Sequence, residues 1–359
     1  MVRKLHLHNF KCFEDIEIPL NMLTLLAGEN GSGKSSIIQA LLLFAQSVIN
    51  GKIEELYLFG DYVKLGYSND IIYEFSEETN PRLNIELFFE NDQYSIDVEY
   101  KSRVTSLPLS STVQVNYKEL FRNKIEYIAA DRISPDVVFS SFDRSDSVGI
   151  HGESVMNYLN RYGTKPIHER LCVADVENTL ATQLDYWMGQ LFNGFSIRTE
   201  EVFGADMIKL RYQEISMGDK SNERRPINVG FGITYILPIV VALLKAEPGD
   251  LVIIENPECH LHPRAQRRIG EMISNISSAG VQIIVETHSD HVLNGIRLSV
   301  KRGDLDKQNT QILFTAREDI GRHYHSNVYS PVVLDNGDLE EWPEGFFDEW
   351  DNALIELLD

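Results

Sequence analysis

The stretch Gly28-Glu29-Asn30-Gly31-Ser32-Gly33-Lys34-Ser35 constrains this chain more than any other. It fits G-x-x-x-x-G-K-[ST] without a mismatch. The apolar, strand-like run Met22-Leu23-Thr24-Leu25-Leu26-Ala27 precedes it. The apolar helical run from Ser36 to Phe44 follows it. Strand, glycine loop and helix in that order turn a string match into a phosphate site. Glycines let successive backbone N–H groups turn inward as an anion nest. The helix N-terminus adds a partial positive charge. Lys34 is expected to reach the β- and γ-phosphates of ATP, and the Ser35 hydroxyl to sit on Mg²⁺. Asn30, Gly31, Ser32, Gly33 and Ser36 complete the expected phosphate seat.

The length suits two average domains, or one large α/β unit with insertions. No apolar run reaches the roughly 18 residues of a membrane span. The N-terminus alternates like a strand and lacks the apolar core of a signal peptide. Cys12, Cys172 and Cys259 are widely spaced and odd in number, which disfavours disulfides and C-x-x-C metal sites. A cytoplasmic protein without a membrane partner is the expectation. The net charge is −21, and Asp335 to Asp359 holds ten acidic residues without Lys or Arg. Affinity for phosphate backbones comes largely from Lys and Arg, so an acidic chain is a poor stand-alone nucleic-acid binder.

Residues 3–10 and 16–27 read as two strands leading into the phosphate loop. Between about 53 and 118 apolar and polar residues alternate, as in Ile71–Phe75, Leu83–Phe89 and Tyr94–Tyr100, which predicts an antiparallel β subdomain. Ile125–Ala130 reads as a further strand ending in the charged turn Asp131-Arg132. Residues 136–152, rich in Ser, Asp and Gly, read as a mobile loop. Residues 153–195 read as helical, with Trp187, Met188, Leu191 and Phe192 as a buried stripe, and 195–213 as strands. No heptad pattern is sustained, which excludes a long coiled-coil arm.

Leu251-Val252-Ile253-Ile254-Glu255-Asn256-Pro257-Glu258 is an apolar strand that ends in carboxylates. A buried strand delivers its last side chains rigidly to the sheet edge, where ligands bind in α/β folds. That placement suits a carboxylate holding Mg²⁺, directly or through water. Val281–Val285 is another apolar strand, ending in Glu286-Thr287-His288-Ser289, where His288 is placed to meet a γ-phosphate or a water. Asn228-Val229-Gly230-Phe231-Gly232 opens a second apolar helix and is a weaker candidate for an anion nest.

In this order and spacing the motifs resemble the ABC-type ATPase heads of the SMC/RecF-like and overcoming-lysogenization-defect-like groups. Asn9-Phe10-Lys11-Cys12-Phe13 and the phosphate loop resemble that group's opening. Glu255 to Pro263 resembles its Walker B segment and D-loop, and Thr287-His288-Ser289 its switch histidine. Asn228, Gly230 and Gly232 occupy the place of the ABC signature. Residues from Pro331 to Asp348 resemble a small bacterial domain of unknown function (DUF3696-like) found on some of these ATPases, a few of them in anti-phage loci. The resemblance implies an α/β ABC head at 1–325, with the β subdomain at about 53–118 and a helical lobe at about 136–225 inserted. A small acidic segment at 326–359 follows.

The resemblance also implies a mechanism. Two heads pair head to tail, each ATP lying between one copy's phosphate loop and the other's Asn228–Gly232 segment. Ser35 and Glu255 hold Mg²⁺. The position that usually carries the water-activating Glu is Asn256, and an amide orients water without taking its proton. Glu258 is then the substitute base, or hydrolysis is slow, with Glu255 and Glu258 sharing the work. The Gln of the ABC Q-loop has no clear counterpart; Gln39 and Gln46 lie on the first helix. The implied role is a sensor or regulator subunit of a bacterial defence or DNA-maintenance complex, as a homodimer or larger ring, with a separately encoded effector. The rival reading is a stand-alone RecF-like DNA clamp gated by ATP, which keeps nucleic acid open as a partner.

Other residues weigh less. His260, His262, His288 and His291 lack the spacing of known metal-ligand patterns. Arg264, Arg267, Arg268, Arg297, Lys301 and Arg302 read more readily as a solvated face than as a nucleic-acid surface. Arg132 and Arg144 are candidates for an arginine near the γ-phosphate. The tail aromatics Trp342, Phe346, Phe347 and Trp350 are expected to cover the chain's own sheet edge.

Overall fold

A computed structural model describes residues 1–76, 79–115, 125–142, 145–192, 194–216, 219–320 and 323–358. The chain divides into two compact units. The first comprises Met1–Asn123, Gln308–Leu334 and Leu339–Asp359, and the second Lys124–Lys307 with Asp335–Asp338.

The first unit opens with β1 (Val2–Phe10), β2 (Phe13–Pro19) and β3 (Leu23–Gly28). The strand expected over 16–27 is therefore two strands. The Asn21 side chain accepts the Met22 N–H at 2.9 Å while the Asn21 N–H donates to the Thr24 hydroxyl at 2.9 Å, an Asx-type turn that breaks the strand. Helix α1 (Lys34–Ser47) is buried on most of its surface, Ile37, Ile38 and Ala40 to Ala45 included, as its apolar run predicts. Next come β4 (Lys52–Tyr57), β5 (Arg82–Phe89), β6 (Gln93–Glu99) and β7 (Ser106–Gln114). The alternating segments do not form one sheet: β5 and β6 extend the N-terminal hairpin in the order β2-β1-β5-β6, while β4 and β7 form a separate ribbon. Leu5, Leu7, Ile85, Leu87, Ile96 and Val98 line the buried face. Ile71–Phe75, expected as a strand, is a turn after the short helical segment Ser68–Asp70. Ile71 and Ile72 N–H both donate to the Ser68 carbonyl, so the backbone is committed locally while Ile71 and Tyr73 plug the core.

The second unit contains β8 (Ile125–Ile128), β9 (Val138–Ser140), α2 (Val155–Tyr162), α3 (Leu180–Phe192), β10 (Phe195–Val202), β11 (Met207–Ser216) and β12 (Asp219–Lys220). It continues through α4 (Phe231–Lys245), β13 (Leu251–Glu255), α5 (Pro263–Ser278), β14 (Gln282–Glu286) and α6 (Asp290–Arg302). Strands β14-β13-β8 run parallel in that order. Val252–Ile254 and Ile283–Val285 are wholly buried, the unbroken apolar pattern of a sheet covered on both faces. The 136–225 lobe carries strands as well as helices, with β9 and β10 on the two edges of β11.

The described part of 136–152, read as a loop, is mostly irregular but includes a short strand and anchoring hydrogen bonds. Val138–Ser140 pairs with β11, and the Ser147 hydroxyl and Val148 N–H donate to Glu126 at 2.8 and 2.9 Å. The other Glu126 oxygen accepts from Lys245 at 2.6 Å, both side chains being buried. A buried carboxylate needs such partners, and these come from the loop. Trp187, Met188 and Leu191 of the expected stripe are buried, while Phe192 is half-buried. The longest helix, α5, has 16 residues, so no long coiled coil is found among the described residues.

The chain returns to the first unit in β15 (Thr310–Ile320), β16 (His323–Tyr329) and α7 (Glu349–Leu358). Here β15 is antiparallel to β16 and parallel to β3. Phe346 is 1% exposed and packs edge-on against Phe314 of β15 at 5.2 Å. The tail therefore anchors on its own unit through Phe346, while Trp342 and Trp350 stay exposed.

Candidate functional site

In the first unit, β3 is buried from Leu23 to Ala27 and stops at Gly28. A Cβ on Gly28 would lie 2.1 Å from the Thr315 carbonyl oxygen, and one on Gly33 2.6 Å from the Phe13 ring. Both glycines also have left-handed φ, at +140° and +115°, so backbone conformation and close approach demand glycine together. The Ser32 hydroxyl donates to the Glu29 carbonyl at 2.8 Å and lies 2.5 Å from the Thr315 hydroxyl. Lys34 is 3% exposed, and its ammonium donates to the Gly28 and Glu29 carbonyls at 2.8 and 2.7 Å. The loop is thus curled around the ammonium. Gly33 caps α1 with no side-chain hydrogen bond, and the helix's first turn carries no acidic residue. A helix start of this kind favours negative charge nearby through its dipole. Asn30, Gly31 and Ser35 are exposed, and Ser36 is half-buried, with its Oγ 3.7 Å from the Cys12 thiol. A 610 Å³ cavity in the same unit runs from Lys11 and Cys12 to Tyr73, Phe75 and Tyr324.

The second unit gathers the carboxylate residues. One Glu255 oxygen accepts from the Tyr127 hydroxyl at 3.0 Å and the other from the Ala130 N–H at 3.2 Å. Burial pushes the Glu255 carboxyl up from its ordinary range, although both hydrogen bonds favour the charged form. Asn256 has φ +45° and a buried Oδ1 without a hydrogen-bond partner, and its N–H donates to the Glu286 carbonyl at 2.9 Å. Glu258 accepts from the Thr287 hydroxyl and from the His288 N–H, each at 2.7 Å. The exit of β13 is thereby tied to the exit of β14, with the exposed His288 held by its backbone.

Asn228 ends a short helical turn, Pro226–Asn228, before α4. Gly230 has φ −57° and open space where a Cβ would stand. A Cβ on Gly232 would lie 2.3 Å from the His260 carbonyl oxygen, so Gly232 is a packing glycine inside the unit. Phe231 stacks on Tyr235 and His260, at 5.4 and 4.6 Å between ring centres.

Several sequence-derived candidates take structural places. Arg132 is no arginine finger: its guanidinium is buried and donates to the Tyr235, Ala129, Glu255 and Asn256 carbonyls at 2.8–3.1 Å. Arg144 lies outside the described residues. Gln46 bonds to Tyr57 and Val63 backbone, and Gln39 accepts from Lys11. His262 caps α5, accepting from the Arg264 N–H at 3.3 Å, and His291 lies 3.5 Å from Asp290. Arg267, Arg268 and Arg302 all pair with Glu271, and Arg297 with Asp338. Tyr127 and Thr315 went unnoticed in the sequence, being polar residues in strands with no local signal.

The nominated Mg²⁺ donors, the Ser35 hydroxyl and the Glu255 carboxylate, are all oxygen, which suits this hard cation. Each Glu255 oxygen already accepts a hydrogen bond.

Residues 1–161 match the family described as AAA ATPase domain. Residues 208–294 match the AAA domain described as putative AbiEii toxin, Type IV TA system. Residues 305–357 match the protein of unknown function family DUF3696. The OLD nuclease of Thermus scotoductus is 26% identical over 328 residues, covering 80% of this chain. The chain spans 59% of that relative's length. The Smc head domain with an extended coiled coil, bound to the C-terminal domain of ScpA from Pyrococcus furiosus, superposes with a TM-score of 0.51 at 14% identity. That match covers 100% of this chain and 99% of the other. The SmcHead bound to the C-winged helix domain of ScpA gives 0.50 at 14% identity, over 92% and 98% of the two chains. These likenesses show the fold of an Smc head domain. With the phosphate loop and the parallel strands, the three family matches support an ABC-type AAA-family ATPase carrying a DUF3696 segment.

Proposed function

We propose that the chain is a slowly hydrolysing, ATP-gated switch whose two copies pair around ATP and Mg²⁺. The observation that carries this reading is the α1 entrance, where an uncapped helix N-terminus and a buried Lys34 share one glycine loop. Asn30 to Ser36 bind the phosphates. The cavity from Cys12 to Tyr73, Phe75 and Tyr324 is of a size to take the base and ribose. A bound Mg²⁺ would neutralise charge on the phosphates, and the Ser35 hydroxyl beside the loop would be an oxygen donor to it. Asn256 orients water, and Glu258 holds His288 in place. Both Glu258 oxygens are engaged by the exit of β14, which supports a positioning role for this carboxylate and slow turnover. Asn228 and Gly230 of a second copy meet the γ-phosphate.

The wider role proposed is a regulator subunit in a bacterial defence or DNA-maintenance complex, with effector chemistry in a separate protein. The OLD nuclease relative and the two Smc heads solved with ScpA domains support that direction.

The test is Mg²⁺-dependent ATP binding and turnover by the full chain and by Glu258→Gln. The wild type should bind ATP and hydrolyse it. The substitution should slow turnover about tenfold, against the 10²- to 10⁴-fold loss expected of a general base. A chain that binds no nucleotide in Mg²⁺ would sink the reading.

A further inference from the structure

We infer that Arg132 is a positioning residue that couples the entrance of α4 to the carboxylate end of β13; this rests on the ATP-switch reading. Its planar fork reaches four carbonyls in three segments. Nε donates to Tyr235 at 3.1 Å, Nη1 to Ala129 and Glu255 at 2.8 Å each, and Nη2 to Asn256 at 2.8 Å. The guanidinium also lies 4.3 Å from the centre of the Tyr235 ring. None of these acceptors is a carboxylate. The charge is spent on orienting peptide dipoles.

The peptides held are those that bear the candidate chemistry. Glu255 and Asn256 carry the side chains assigned to Mg²⁺ and water. Asn256 sits at φ +45°, a conformation that persists only where its surroundings over-determine it. Arg132 fixes its carbonyl from one side, while its N–H donates to Glu286.

The other end of the fork is Tyr235, one turn into α4 after Gly230 and Gly232. The Tyr235 hydroxyl donates to the Ala130 carbonyl, and the Ala130 N–H donates to the Glu255 carboxylate. Residues 127–132 therefore form a spacer that touches α4 on one side and both the backbone and side chain of Glu255 on the other. A ligand or second copy that shifts the α4 entrance shifts Tyr235, and the fork transmits that shift to Glu255 and Asn256. Pro238 within α4 removes a helix hydrogen bond just beyond this point, which eases a tilt of the first turn.

The experiment compares the full-length wild type, Arg132→Lys and Arg132→Ala. It measures binding of a fluorescent ATP analogue with Mg²⁺, mass by light scattering in ATP, single-turnover hydrolysis and thermal melting. A lysine keeps the charge but places one compact ammonium where four carbonyls need a fork. Arg132→Lys should bind and pair within about threefold of wild type while hydrolysis falls about 5- to 150-fold, the usual span of a coupling between sites. Unchanged hydrolysis in Arg132→Lys overturns the proposal. So does a parallel fall of binding, pairing, hydrolysis and melting in both variants, which marks a structural brace only. Failure of the wild type to bind nucleotide is seen in its own arm, and removes the underlying reading first.

Discussion

Two glycine-rich segments lead into apolar helices, and they use glycine for different reasons. At Gly28–Lys34 the backbone itself requires it: φ is left-handed at Gly28, Gly31 and Gly33, and a Cβ would strike Thr315 or Phe13. At Asn228–Gly232 φ of Gly230 is ordinary and its Cβ space is open, while Gly232 is pressed on the His260 carbonyl. The first segment is a glycine loop whose conformation and packing are set within its own unit. The second is a packed helix start with one bare, solvent-facing position. Composition alone makes them look alike; only the first explains all its glycines without a partner.

Substitutions separate the two segments. The largest effect belongs to Lys34→Ala, which removes a charged donor and should weaken Mg²⁺-ATP binding about 10- to 100-fold by equilibrium titration. Gly232→Ala comes next. Its Cβ meets a backbone carbonyl, so the fold should lose about 1–3 kcal/mol in denaturant melts while ATP affinity at the other segment holds. Gly230→Ala should leave melting within about 0.5 kcal/mol, because nothing lies in the way. Loss of ATP-dependent pairing in that variant, read by sedimentation, would then report a contact from outside the chain.

The smallest effect calibrates the first unit away from its loop. His6 lies 2.7 Å from Asp15 and 3.3 Å from Glu86. Burial pulls its pKa down, but the hydrogen bonds and charges of Asp15 and Glu86 outweigh this and raise it above its ordinary value. A raised folded-state pKa means that protonation stabilises the fold. The gain is complete below the unfolded value and vanishes as pH rises through the folded one. The melting difference between wild type and His6→Gln should therefore be larger at about pH 5.5 than at about pH 8.5.

The phosphate loop was legible because strand, glycines, lysine and helix are contiguous. The parallel strands were legible from their unbroken apolar runs. The neighbours that define each site were not. Tyr127 meets Glu255 across 128 positions, and Thr315 meets Ser32 across 283. Such contacts leave no local periodicity. Ile71–Phe75 misled for the opposite reason: it alternates like a strand, yet Ser68 captures its backbone in a turn. In the Ser- and Gly-rich 136–152 segment, the anchoring of Ser147 and Val148 by the buried Glu126 was not readable, because the partner lies outside the segment. Arg132 could be seen as charged but not as buried among carbonyls.

The central claim is that the bare segment at Asn228–Gly230 is completed by ATP held on a second copy. Light scattering of the full chain with a non-hydrolysable ATP analogue and with ADP, both in Mg²⁺, tests it directly. The account predicts a doubled mass with the analogue and a monomer with ADP, the doubling being lost in Lys34→Ala. The same mass in every nucleotide state would contradict it.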